Sequence, residues 1–168
     1  MRTTVAMCVS FAVFFCLLPL TVRAADSATP GEVIQKVREA AEFLSKAGDA
    51  GLAAFADKTG KWVWKDTYVW VLKCSSLTDA SHPFNPKLVG PPLAGMKDAR
   101  GNYFFVQLCA KCQEPKGGWV EYWWPKVGEK QPSRKISYIL QVPNSPYEVA
   151  AGIYDEDISL EELNQLLK

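Results

Sequence analysis

Apolar residues recur at helical spacing early in the chain, with Val33, Val37, Ala40, Ala41 and Leu44 on one side. Thr29-Pro-Gly-Glu32 stands before them as a capping box with proline in the first helical position. A long helix is therefore predicted to open there and to end at Gly48. Residues 25–28, ahead of it, have the composition of a mobile leader. A short second helix over 49–57 carries Leu52 and Phe55, and Lys58-Thr-Gly-Lys61 reads as a turn. The period then falls to two. From Trp62 to Cys74 one face holds Tyr68, Trp70 and Leu72, and the other holds Thr67, Val69 and Val71, which predicts a strand.

Residues 75–99 have no period. Pro83, Pro86, Pro91 and Pro92 stand among Ser, Asn and Gly, so a long loop is expected, with at most a brief strand near Ser81-His82-Pro83. Long loops in compact domains are often functional. Asn102–Gln113 spaces Phe104, Phe105, Leu108 and Cys112 for a helix lying on a sheet, and Gly117-Gly118 breaks it. Strands follow over 119–124, 133–142 and 147–154, joined by a Pro/Gly/Lys turn and by Pro143-Asn-Ser-Pro146. Ser159-Leu-Glu-Glu162 is a second capping box, opening a terminal helix with Leu160, Leu163 and Leu167 inward. The order predicts an α+β domain with one antiparallel sheet.

Composition narrows the class. The chain has 168 residues, 48% hydrophobic and 22% charged, which suits one globular domain. A net charge of +1 lacks the basic excess of a nucleic-acid binder, so no nucleic-acid partner is expected. Residues 1–24 stand apart. Arg2, an apolar run from Val5 to Val22 and the triplet Val22-Arg23-Ala24 read as a signal peptide. Pro19 and the junction alanines favour cleavage over retention as an anchor. Residues 25–168 then make a periplasmic or secreted domain with 17 basic and 18 acidic residues.

Cys8 and Cys16 leave with that leader. Outside the cytoplasm, Cys74, Cys109 and Cys112 favour one disulfide. Cys109-Ala-Lys-Cys112 is followed by Gln113, where a haem-attachment motif needs histidine. A zinc site would need all three thiolates and His82, the single histidine of the chain. A thioredoxin-like pair would want a βαβ context. Neither has further support, so no metal or cofactor is expected. The cysteines alone leave Cys74 bridged to Cys109 or to Cys112.

Catalysis finds little to work with. Any base would have to be His82, which precedes a proline in a loop and suits a hydrogen-bonding role better. Asp155-Glu-Asp157 reads as a solvated helix leader. The chain is not expected to be an enzyme. Binding is better supplied. Gly117–Lys126 places three tryptophans and a tyrosine in ten residues. Val120, Tyr122 and Trp124 share one face; Trp119, Glu121 and Trp123 share the other. The long helix covers one face of the sheet, and the other needs a loop or a ligand. Tyrosine and tryptophan join an apolar body to a polar tip, which suits a small pocket that orients its guest. Lys126, Arg134 and Lys135 set cations beside it, which attract a carboxylate or hold a neutral guest through hydrogen bonds.

Several stretches together resemble a known family. They are Trp64–Val71, His82-Pro83, Leu88–Gly90, Lys97–Gly101, Gly118–Tyr122, Trp124–Lys126, Lys135–Tyr138 and Ala151–Tyr154. Their order resembles the single Cache domain, the extracytoplasmic sensor module of bacterial chemoreceptors and histidine kinases, over about residues 30–155. The resemblance implies a PAS-like antiparallel sheet of about five strands, with a long N-terminal helix and flanking helices. It implies a pocket for a small organic acid of two to four carbons. Tyr68 and Trp70 would line it from the first strand, Tyr122, Trp124 and Lys126 from the third, Tyr138 from the next, and His82 from the covering loop. Lys126 or Lys135 would meet the carboxylate. The family layout pairs Cys74 with Cys109 and leaves Cys112 as the alternative partner. The expectation is a free exported sensor that presents its ligand to a membrane receptor or histidine kinase. A ligand-free interaction module is the alternative, and a thiol redox or zinc protein a lesser one.

Overall fold

Thr29 caps the first helix, α1 (Pro30–Ala47), in the way its sequence predicts. Its hydroxyl accepts from the Glu32 N–H, and the Glu32 carboxylate accepts from the Thr29 N–H at 2.8 Å. Val33, Ile34, Val37, Ala40, Ala41 and Leu44 are buried. The computed structural model describes residues 27–155 and 157–168. The signal-peptide reading, with Cys8 and Cys16, lies outside them. The expected mobile leader is held at its end: Ala28 is buried and its N–H donates to Asp66 Oδ1 at 2.8 Å. After α1 the expected second helix starts as a 3-10 turn, Gly48–Gly51, and becomes α2 (Leu52–Ala56).

The sheet has six strands where about five were expected. The predicted strand over 62–74 is two, β1 (Val63–Trp64) and β2 (Thr67–Lys73), because the chain reverses at Lys65, whose φ is 47°. Four more follow: β3 (Thr78–Ser81), β4 (Gly118–Pro125), β5 (Pro132–Gln141) and β6 (Glu148–Ile153). Their order is β1-β2-β6-β5-β4, with β3 also on β2, and every pair is antiparallel. Helices α3 (Phe104–Lys111) and α4 (Leu160–Gln165) complete the chain, the second opened by its predicted capping box.

Alternation along the strands makes two cores. Val69, Val71, Trp119, Ile136, Tyr138, Val149, Ala151 and Ile153 pack beneath α1. Tyr68, Trp70, Leu72, Val120, Tyr122 and Ala150 face the other way, toward α3 and the long loop, where Leu88 and Leu93 join them. The loop is fastened at both ends. Cys74, just after β2, is bridged to Cys109 on α3. Near the other end, Asp98 accepts from the N–H groups of Arg100, Asn102 and, on β4, Trp123 at 3.0 Å. Between these points Leu93 N–H donates to Leu77 O, and Gly90 N–H to Asp79 O.

The bridge spans a sequence separation of 35, and constraint of an unfolded loop that long contributes on the order of 3–4 kcal/mol. Cys112 remains a thiol, 1% exposed. Peptide mapping without reductant should recover the Cys74–Cys109 pair, with Cys112 labelled only after unfolding. Replacing both bridged cysteines by alanine should lower the urea-unfolding free energy by about 3–4 kcal/mol. A loss below about 1 kcal/mol would mean that the bridge does not fasten the loop.

Candidate ligand pocket

Strand β5 carries Arg134 to one face of the sheet and Lys135 to the other. Arg134 is engaged under α4: its guanidinium donates to Glu121 and to the carbonyls of Asp155 and Ile158. Lys135 points to the second core and is 1% exposed. Its Nζ lies 4.4 Å from the ring centroid of Tyr68, 4.9 Å from Trp70 and 5.2 Å from Tyr154. It donates one hydrogen bond, to the Tyr68 hydroxyl at 3.3 Å. Cation–π attraction over several faces offsets part of the lost hydration. Gly152, on β6, makes the space: a Cβ there would sit 2.9 Å from Lys135 Cε and 2.9 Å from Ile136 O.

A second charged residue shares the enclosure. Asp79, on β3, is 1% exposed, and neither carboxylate oxygen has a hydrogen-bond partner among the described residues. Burial pushes its carboxyl well above the ordinary range, opposed by the charge of Lys135. Burial pulls Lys135 down to about 7, opposed by Asp66 and Asp79. His82 Nδ1 accepts from the N–H groups of Phe84 at 3.1 Å and Asn85 at 2.9 Å, which leaves the neutral ring's proton on Nε2. Burial, and then the charge of Lys135, brings His82 down to about 3, so it stays neutral at physiological pH.

These groups surround one enclosed space. Tyr68 and Trp70 of β2, Tyr122 and Trp124 of β4, and Lys135 form its floor; Asp79, His82, Leu88, Phe104 and Phe105 close it from β3, the loop and α3. Phe104 stacks on Tyr122 with centroids 4.5 Å apart and an interplanar angle of 13°, and Tyr122 shares a hydrogen bond of 2.9 Å with Ser137. The enclosed volume is about 10 Å³, near the size of one water molecule. A wider hollow of about 250 Å³ adjoins it, sharing Tyr68, His82 and Trp124 and extending over Phe84, Lys126 and Glu129.

Six of the eight residues singled out in the sequence thus meet here: Tyr68, Trp70, His82, Tyr122, Trp124 and Lys135. Lys126 lines the outer hollow, not the enclosure. Tyr138 requires a correction. It belongs to the core beneath α1, where its hydroxyl donates to Lys116 O at 2.7 Å. An odd spacing of three along a strand puts Lys135 and Tyr138 on opposite faces, so both cannot line one pocket. Asp79, Leu88, Phe104 and Phe105 were not singled out as pocket residues.

Comparisons with known proteins place this fold in a family. A family model described as single Cache domain 2 matches residues 26–167. The chain belongs to the single Cache domain family. Over 101 residues this Cache domain is 32% identical to the methyl-accepting chemotaxis protein McpP of Pseudomonas putida, a match covering 60% of the chain and 18% of that protein. It is similar to a solved periplasmic sensor domain of a chemotaxis protein, with 25% identity and a TM-score of 0.60, covering 73% of this chain and 90% of that one. A Cache chemosensory domain solved for its recognition of carboxylic acids is equally similar, at 25% identity and a TM-score of 0.60, over 73% of this chain and 88% of that one. No helix among the described residues is long and apolar enough to cross a membrane.

Burial of Lys135 in this Cache domain has a pH signature. Its folded pKa, about 7, lies below the unfolded value near 10.4. Between the two the unfolded chain holds more protons, so this group's contribution to stability rises with pH and is lost as pH falls toward 7. Relative to Lys135→Met, the native chain should gain stability from pH 7 to 9, by at most about 1.4 kcal/mol per pH unit in denaturant titrations. Parallel curves for the two proteins would mean that Lys135 keeps its solution pKa.

Proposed function

We propose that this Cache domain is an extracytoplasmic receptor module that takes up a small monocarboxylate, with Lys135 as its counter-charge, and reports it to a membrane signalling partner. The observation that carries the reading is the buried amine of Lys135 with aromatic walls and no salt bridge among the described residues, a group that an anion would hold in its charged form. A small anion supplies the missing charge and hydrogen-bond acceptors. His82, with its proton on Nε2, is a second donor at the same enclosure. The similarity to a chemotaxis receptor and to a carboxylic-acid-binding Cache domain supports the same class of ligand and a chemoreceptor or histidine kinase as the partner.

The size of the space bears on the signal. An acid of two to four carbons exceeds about 10 Å³, so its admission moves side chains that now close the cavity. The floor is a continuous antiparallel sheet with β4 at its edge, whereas Leu88 and Phe104 belong to the loop and to the start of α3. Displacement therefore falls on the covering side. The outer hollow, with Lys126, is the path in.

Calorimetry and thermal unfolding of the domain with acetate, glycolate, propionate and lactate test this. An acid at a hundredfold its Kd stabilises by about 2.7 kcal/mol, which shows as a rise of several degrees in Tm. Lys135→Met should abolish the rise. Lys126→Ala should weaken binding only a few-fold, and more at low salt. A flat response from protein refolded free of bound small molecules, or binding unchanged in Lys135→Met, would overturn the proposal.

A further inference from the structure

Cys112 packs in the core on the pocket side of the sheet, but neither the fold nor the proposed receptor role uses its thiol. Its position is set by α3. Cys109 and Cys112 are three residues apart, a spacing that brings both side chains to one side of a helix. Cys109 is bonded to Cys74. Cys112, the C-cap of α3, brings its sulfur to 4.0 Å from the sulfur of Cys74. Cys74 Sγ therefore has one cysteine bonded to it and a second in contact with it.

The surroundings hold this thiol at rest. It donates to the Cys109 carbonyl at 3.1 Å and accepts from the Gln113 side chain at 3.2 Å. A carboxylate oxygen of Glu148, at the start of β6, lies within 4.8 Å of the sulfurs of both Cys74 and Cys112. Burial pushes the Cys112 thiol above its ordinary pKa; the Gln113 donor opposes that shift and the charge of Glu148 adds to it. The thiolate is the nucleophile, so a thiol kept protonated waits. Zinc would need Cys74 as a thiolate, and the bridge denies it that ligand. Attack on the neighbouring disulfide needs nothing that the oxidised domain lacks.

We propose that the bridge is exchangeable: the thiolate of Cys112 attacks Cys74 Sγ, and the partner of Cys74 changes from Cys109 to Cys112 within one folded molecule. The Cys112–Cys74 bond forms as the Cys74–Cys109 bond breaks, and the electron pair of the broken bond leaves on Cys109. Cys112 gives its proton to water, and the Cys109 thiolate takes one back. One disulfide and one thiol are present before and after, so no oxidant or reductant is consumed. The free thiol passes from buried Cys112 to Cys109, whose position is half-buried. The tie from the end of β2 moves from within α3 to its C-cap. A modification site is thereby formed that the resting domain lacks, with Cys109 open to small electrophiles and oxidants.

Iodoacetamide added to the folded, oxidised domain in buffer free of thiols reads the exchange, because alkylation traps whichever thiol reaches solvent. Once the remaining thiol is blocked with N-ethylmaleimide under acid denaturation, tryptic cleavage after Lys111 puts Cys109 and Cys112 on different peptides. The expected product carries the acetamide on Cys109 and a bridge between Cys74 and Cys112, formed at a rate independent of protein concentration. Cys112→Ser keeps the resting bridge and should lose the label altogether. Four results would overturn the proposal. They are a Cys109 that never labels under conditions that label the unfolded chain, label on Cys112 in step with Cys109, a rate that rises with protein concentration, and equal labelling of Cys109 in Cys112→Ser. The first three are read on the native domain and decide the matter even where the variant does not fold.

Discussion

A lysine amine held under aromatic rings, with no carboxylate bonded to it among the described residues, is the constraint around which this half of the molecule is arranged. Taking Lys135 out of water is expensive, and burial already draws its pKa to about 7. Three rings share the charge, and the Tyr68 hydroxyl takes one of its three donors. Gly152 leaves the stem its room, at a strand position where any side chain would collide with it. None of these features helps the sheet to fold. The face beneath α1 shows what this sheet does when only stability is served: valine, isoleucine, alanine and two aromatics, without a charge. On the opposite face Lys135 and Asp79 are buried together beside the pocket, whereas Arg134, on the α1 side, is paired with Glu121.

That division also separates what is rigid from what yields. The floor of the pocket lies on β2, β6, β5 and β4, a continuous hydrogen-bonded sheet backed by α1. The covering side is loop and helix start, pinned at Cys74 and Asp98 and packed through Phe104 and Leu88 between those pins. The pins set the limits of its travel. A guest that enlarges the space pushes against α3 and the loop, and the bridge at Cys109 couples α3 to the end of β2.

Much of this was legible in the sequence, for local reasons. Both capping boxes form as written because each involves residues three apart. The faces of β2 and β4 follow from alternation, with Tyr68 and Trp70 on one side of the first and Tyr122 and Trp124 on one side of the second; that the two sides meet at one space follows from the sheet. Tyr138 was misplaced where family position was followed in preference to alternation; its distance of three from Lys135 already put it on the other face. Asp79 left no signal that a local reading detects. Its strand is too short for a period, and its burial is set by pairing with β2 and by the bridge to Val89. Phe104 and Phe105 were read as packing for a helix on a sheet. They are that, and the course of the loop between Cys74 and Asp98 makes them the cover of a cavity as well.

The closeness of the cavity bears on selectivity as much as on signalling. In an open cleft, water would reach Asp79 and Lys135 and supply whatever a poor ligand failed to provide. A space of about 10 Å³ leaves room for about one water molecule. Each polar group there is matched by the guest or left unmatched, and an unmatched group in a low-dielectric space is costly. On the proposed reading, Lys135 meets the anion and the rings of Phe104, Tyr122 and Trp70 enclose a short carbon skeleton. A site this small holds little solvent, so how well a guest pairs with its polar groups weighs heavily in how tightly that guest is held.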